Sequence, residues 1–168
     1  MPLTPFHFGP GLLIGLLLFS YLDFSTFLVA SIIIDVEPIL VIIFDLDYPL
    51  HGFFHSFLGG TLIALLLAAV MIRVRDFVSP LLSFFRLEQK SSVKNILLAS
   101  LSGIYIHILL DSHMHLDIHP FYPFDFNPFL GSSILPGLSV NMFCVWCFIG
   151  AAVVYLFKSS LILRRTTK

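Results

Sequence analysis

Charge is scarce in this chain. Of its 168 residues, 11% are Asp, Glu, Lys or Arg and 58% are hydrophobic, with a mean hydropathy of +0.99. A typical soluble domain carries about 25% charged residues, so this deficit excludes an ordinary soluble fold and leaves an integral membrane protein. Cysteine is equally scarce: Cys144 and Cys147 sit as Cys-Val-Trp-Cys inside an apolar run. Two such residues exclude a disulfide framework, and close packing in lipid accounts for them better than redox chemistry or metal ligation. Basic residues are missing from most of the chain. Arg73, Arg75, Arg86, Lys90 and Lys94 form one group, and Lys158, Arg164, Arg165 and Lys168 form the other. The first ten residues contain no Lys or Arg and no small-residue cleavage site follows, so no secretory signal peptide is expected. The net charge of −1 is uninformative about partners, and no nucleic-acid partner is expected.

What remains is grease with punctuation. Apolar runs at about residues 54 to 72, 95 to 110 and 139 to 157 approach the roughly 17 to 25 residues that a helix needs to cross a bilayer core. Residues 11 to 46 are also apolar but are broken by Asp23, Asp35, Glu37, Pro38 and Asp45. Asp23 and Ser25 are helix-start signals, which predicts two short helices at about 8 to 21 and 25 to 35, paired as an antiparallel hairpin that sets His7 beside Asp35. Neither arm alone reaches across a ~30 Å core, so a re-entrant or shallow hairpin is expected. Pro38 fits the first turn of a further short helix to about Leu46. The stretch 73 to 94 reads as a basic loop with a short amphipathic element around Leu81 to Phe85, and 120 to 138, where aromatics alternate with proline, as an ordered interfacial loop. The fold class is an all-α polytopic membrane protein with about four or five membrane segments, one domain over residues 1 to 168. The positive-inside rule places both basic groups, and with them the C-terminus, in the cytoplasm.

The histidines lie elsewhere: His7, His51, His55, His107, His113, His115 and His119, accompanied by Asp35, Glu37, Asp45, Asp47, Asp111, Asp117 and Asp125. All fall on the predicted extracytoplasmic side. His51 and His55 are four apart and would share a face at the start of a helix; His107 and Asp111 repeat that spacing near the end of another, with His115 continuing the series. Asp35 and Glu37 sit at a junction of apolar helices with no lysine or arginine to balance them, an expensive arrangement unless a cation compensates. A divalent ion resolves that charge problem. Nitrogen and oxygen donors without thiolate suit zinc first, then manganese or iron, as one or two ions. His113, His115 and His119 read as surface or supporting groups, and Asp45, Asp47, Asp117 and Asp125 as solvated or capping ones.

Four motifs in order carry a resemblance: Thr4-Pro-Phe-His7, Asp35-Val-Glu37-Pro38, His51-Gly-Phe-Phe-His55-Ser56 and His107-Ile-Leu-Leu-Asp111-Ser112. Over about residues 1 to 131 the chain resembles the membrane-bound metal-dependent hydrolase family, which is distantly similar to zinc-dependent phospholipase C with its His-x-x-x-Asp pair. The resemblance implies a multi-pass membrane protein with ligands at His7, Asp35, His55, His107 and Asp111, and Glu37 and His51 next. Many relatives carry Asp in place of Glu37 and Arg in place of His51. The expected function is metal-assisted hydrolysis of a phosphoester or lipid-like substrate at the membrane interface, with Glu37 accepting the proton from a metal-activated water. The rival expectation is a metal-stabilised membrane scaffold or a divalent-cation carrier.

Overall fold

The structure is a computed structural model that describes residues 4–131 and 138–166, with side chains for 5–131 and 138–160. The described residues form helices joined by turns and loops, with no strand among them. A 3-10 turn, Thr4–His7, leads into α1 (Phe8–Leu17); α2 (Phe24–Ala30) follows, then a 3-10 turn (Ile33–Asp35) and α3 (Val36–Ile43). A third such turn, Phe53–His55, precedes α4 (Phe57–Phe84), and α5 (Val93–Ser112) and α6 (Val140–Thr166) complete the chain. Four stretches are long and apolar enough to cross a membrane: Phe24–Ile43, Phe57–Phe84, Val93–Ser112 and Val140–Ser160. Apolar side chains point outward from them, among them Leu62, Leu66, Val145, Trp146, Val153 and Leu156. That distribution suits a hydrocarbon solvent.

The N-terminal hairpin forms as its sequence predicts. Asp23 caps α2 by accepting from the Thr26 N–H at 2.9 Å and from the Ser25 and Thr26 hydroxyls at 2.8 and 2.7 Å. The cap is fully buried, and it satisfies donors that lipid cannot. The second arm does not stop at residue 35, however. It passes through the Ile33–Asp35 turn into α3, and the combined stretch Phe24–Ile43 has the length to span that α2 alone lacks. Pro38 lies in the first turn of α3, and the helix ends at Ile43, where Asp45 adopts the left-handed conformation with φ 47°.

The expected basic loop over 73 to 94 is mostly helix. α4 runs on through Arg73, Arg75 and Pro80 to Phe84, so Leu81 forms part of its last turn and not a separate surface element. It stops where Leu87 N–H donates to the Leu82 carbonyl and Arg86 N–H to that of Ser83, with Arg86 at φ 56°. This paired closure satisfies the last carbonyls of the helix. The reason the helix persists lies partly in Arg75. Its guanidinium donates to the carbonyls of Gln89 at 2.8 Å and Ser91 at 3.3 Å and stands 3.5 Å from the Asp23 carboxylate. Gln89 ties the same end together, donating through Nε2 to the carbonyls of Phe19 and Leu22 and accepting from the Phe24 N–H at 2.9 Å. The hairpin turn and the α4–α5 connection therefore occupy one end of the bundle.

α5 is central, packed against α2 and α4, while α1 packs against α6. The core between α2, α4 and α5 contains Ala30, Ile34, Ala64, Ala68, Ile104 and Ile108. Close helix approach depends on small residues, as is common in membrane bundles. A Cβ on Gly103 would lie 2.6 Å from the Ala30 Cβ, and one on Gly9 would lie 2.3 Å from the Cys144 carbonyl oxygen. Cys144 and Cys147 are free and buried, as packing residues are. At the end opposite Gln89, the aromatic loop folds back onto the helices: Asn127 donates to the Ser112 carbonyl at 2.9 Å, Phe57 N–H to that of Pro120 at 2.9 Å, and Gly131 N–H to that of His113 at 3.2 Å. Residues 132–137, the remainder of the expected interfacial loop, lie outside the described residues, as do Lys168 and the side chains of Arg164 and Arg165.

Two outcomes test this arrangement. Gly103→Val should destabilise the detergent-solubilised protein by about 1–3 kcal/mol through overpacking at the α2–α5 crossing, read from its thermal transition. Single cysteines replacing Lys90 and Asp125, in a background where Cys144 and Cys147 are alanine, should label oppositely with an impermeant thiol reagent in intact cells. Position 125 reacts and position 90 does not; equal labelling would break the topology.

Candidate metal centre

The end of the bundle opposite Gln89 gathers the acids and imidazoles. α5 presents His107 and Asp111 one turn apart, with 1% and 2% exposure, the close helical neighbours their spacing predicts. The break after α2 contributes Asp35, α3 contributes Glu37 from its first turn, the Phe53–His55 turn contributes His55, and the Thr4–His7 turn contributes His7. All six are buried.

Two hydrogen bonds set the chemistry of this group. His107 donates through Nδ1 to the Ser31 carbonyl at 2.7 Å, one of the carbonyls left free at the C-terminal end of α2. His55 donates through Nδ1 to Glu37 Oε2 at 2.8 Å. With both Nδ1 atoms committed as donors, each neutral ring carries its lone pair on Nε2. Those lone pairs face acceptors. His107 Nε2 is 3.3 Å from Asp35 Oδ1 and 3.2 Å from Asp111 Oδ2, and His55 Nε2 is 4.0 Å from Asp35 Oδ1. His7 stacks on His107 with ring centroids 3.9 Å apart, and its Nε2 comes within 3.1 Å of Asp111 Oδ1. The Nε2 atoms of His55 and His107, Asp35 Oδ2 and Asp111 Oδ1 are buried without a hydrogen-bond partner. Asp35, His55, His107 and Asp111 each offer a ligand atom within 4.8 Å of the others. Converging lone pairs with no partner are what a divalent cation neutralises, so this buried group can hold a metal ion. Burial also pushes the His55 imidazole below its ordinary pKa, against the pull of Glu37, which keeps it neutral for ligation.

Glu37 is saturated. Besides His55, it accepts from the Gly52 N–H at 3.1 Å and the Phe54 N–H at 3.0 Å, one on each carboxylate oxygen. These bonds fix the 52–55 turn.

His51 and His55 do not share a helix face. Gly52 and the 3-10 turn separate them, α4 begins only after the Ser56 cap, and His51 joins a different group. Its backbone N–H donates to Asp117 at 3.0 Å, its Nδ1 lies 3.1 Å from both Asp117 oxygens, and its ring approaches His115 with centroids 4.1 Å apart. His51, His115 and Asp117 again offer ligand atoms within 4.8 Å of one another. The sequence assigns Asp117 a solvated or capping role and His115, on the continued face of α5, a surface or supporting one. The helix ends at Ser112, and a turn carries His115 round to His51. The available signal was density: His113, His115, Asp117 and His119 in seven residues without Lys or Arg. Burial raises the Asp117 pKa, but the His51 N–H and ring outweigh it and hold the carboxylate below its usual range; burial pushes His115 down. His113 donates to the Leu109 carbonyl at 2.6 Å, and His119 pairs with Asp125 at 2.8 Å on the surface.

Comparison with protein-family models, with curated proteins and with solved structures finds no match to this chain. The site therefore rests on its own geometry.

Asp111→Ala removes a charge from the cluster and an anchor from His7 and His107. Elemental analysis of the purified, zinc-loaded protein should show one ion fewer per chain than in wild type, with a lower thermal transition. An unchanged metal content would remove Asp111 from the site.

Proposed function

We propose that the protein is a membrane-embedded metal-dependent hydrolase acting on a phosphoester or lipid-like substrate at the extracytoplasmic face. The observation that carries the reading is the set of buried, unpartnered His55 and His107 Nε2 atoms facing the Asp35 and Asp111 carboxylates. His55, His107, Asp35 and Asp111 would hold the ion, with His7 packed against them. Zinc fits this nitrogen and oxygen set best, with manganese or iron as substitutes. A bound divalent ion supplies a water acidified toward neutral pH and polarises the scissile group. The resemblance to the membrane-bound metal-dependent hydrolase family and a cavity of about 300 Å³ beside His51 and Asp117 support a reaction over simple ion storage.

The proton acceptor in this reading is Asp35 and not Glu37. Glu37 already accepts from two backbone N–H groups and from His55, so its task is to fix the His55 tautomer and strengthen that ligand. Asp35 retains an unpartnered oxygen. One observation favours the rival reading: four protein donors enclosed in the core are the count of a structural zinc site, which suits a metal-stabilised scaffold.

Glu37→Gln separates the roles. As an orienting residue, its loss should weaken metal affinity by about 10- to 100-fold, measured by competition with a chromophoric chelator. Retained affinity with turnover lowered by about 10² to 10⁴ would return the proton to Glu37. For the reaction itself, metal-loaded protein in phospholipid micelles at neutral pH should release product from phosphoester substrates, and Asp35→Asn should abolish it. If the loaded wild-type protein cleaves no phosphoester, carboxylic ester or amide, the scaffold reading stands.

A further inference from the structure

We propose that His51, His115 and Asp117 form a second divalent-cation site, adjacent to the buried one and open to the solvent cavity. Their ligand atoms lie within 4.8 Å of one another. Three features set the group apart from an ordinary cluster of polar side chains. First, His51 is buried, with an exposure of 4%; its backbone N–H donates to Asp117 Oδ2 at 3.0 Å and its Nδ1 lies 3.1 Å from both Asp117 oxygens, where an ion could join the two. Its Nε2 has no hydrogen-bond partner among the described residues. Second, neither ring nitrogen of the half-buried His115 has a hydrogen-bond partner among the described residues, although the ring lies against His51. Third, a cavity of about 300 Å³ is lined by His51 and Asp117 together with Tyr48, His119 and Tyr122.

Coordination number distinguishes the two groups. Asp35, His55, His107 and Asp111 supply four donors in the core, whereas His51, His115 and Asp117 supply three beside open space. Two imidazoles and one carboxylate with a vacant fourth position is the donor set of a zinc ion that exchanges ligands. The two are neighbours, since the His51 and His55 rings meet edge to face with centroids 4.8 Å apart. The group thus fits a labile zinc or manganese ion that receives an anionic oxygen, such as a phosphoester, from the cavity. Its task rests on the proposed hydrolysis; its presence does not.

Metal stoichiometry tests it without any activity. Full-length protein in detergent micelles, equilibrated with zinc and gel-filtered, should carry two ions per chain, and a chelator titration should remove them in two steps. His115→Gln combined with Asp117→Asn should carry one ion, lost in the second step; asparagine retains an acceptor for the His51 N–H. Should that pair of changes prevent folding, His115→Gln alone, at a half-buried position, should raise the dissociation constant of the weaker ion by about 100-fold or more and leave the tighter one unchanged. Two ions in the double variant, or a single wild-type ion that survives it, overturns the proposal. A single ion that leaves with His115 and Asp117 but survives Asp111→Ala supports this site and overturns the buried centre. No ion in the wild-type protein overturns both.

Discussion

Two imidazoles are held with their Nε2 atoms pointed at carboxylates, so that in the neutral rings lone pair meets lone pair, and the rest of the molecule is arranged around that juxtaposition. Ser31 and Glu37 each occupy an Nδ1, which turns the Nε2 of His107 and of His55 toward Asp35 and Asp111. With both rings neutral, acceptor faces acceptor in the core of a bundle whose one pairing of an acid with Arg or Lys, among the described residues, is Arg75 with Asp23 at the other end. Desolvated carboxylates with no counter-charge are among the costliest groups a protein can bury. A cation removes the conflict, and its binding would then act as a cross-link between the Ile33–Asp35 turn, the Phe53–His55 turn and α5.

The backbone is broken where that centre needs donors. A continuous helix from residue 24 to 43 would satisfy its own carbonyls and leave none for His107. Ending α2 at Ala30 frees the Ser31 carbonyl, and the 3-10 turn that follows brings Asp35 inward. Irregular backbone at membrane depth is tolerated where protein encloses it, and here α5 does so, admitted to close range by Gly103 opposite Ala30.

Much of this was legible in the sequence. Hydropathy and the scarcity of charge give the all-helical membrane class, the Asp23 cap gives the hairpin, and the 107/111 spacing survives because those residues lie on a helix. The 51/55 spacing fails for the same physical reason: it applies only to helical backbone, and Gly52 with the turn after it sends the two rings into different groups. α4 outruns its expected end because arginine reads as a loop signal in a hydropathy profile, whereas Arg75 here is satisfied by carbonyls across the helix end. The occupation of Glu37 by the N–H groups of Gly52 and Phe54 is a tertiary matter, which no local pattern encodes.

The knot around Gln89 has a consequence for the order of assembly. Its side chain serves Phe19, Leu22 and Phe24, residues made some 65–70 positions earlier. Until Gln89 is in place the turn of the N-terminal hairpin would lack these bonds, which the second half of the molecule supplies. A nascent chain shortened before residue 89 would hold α1 to α4 with the Phe19 and Leu22 carbonyls lacking the Gln89 amide, the kind of species that membrane quality control removes.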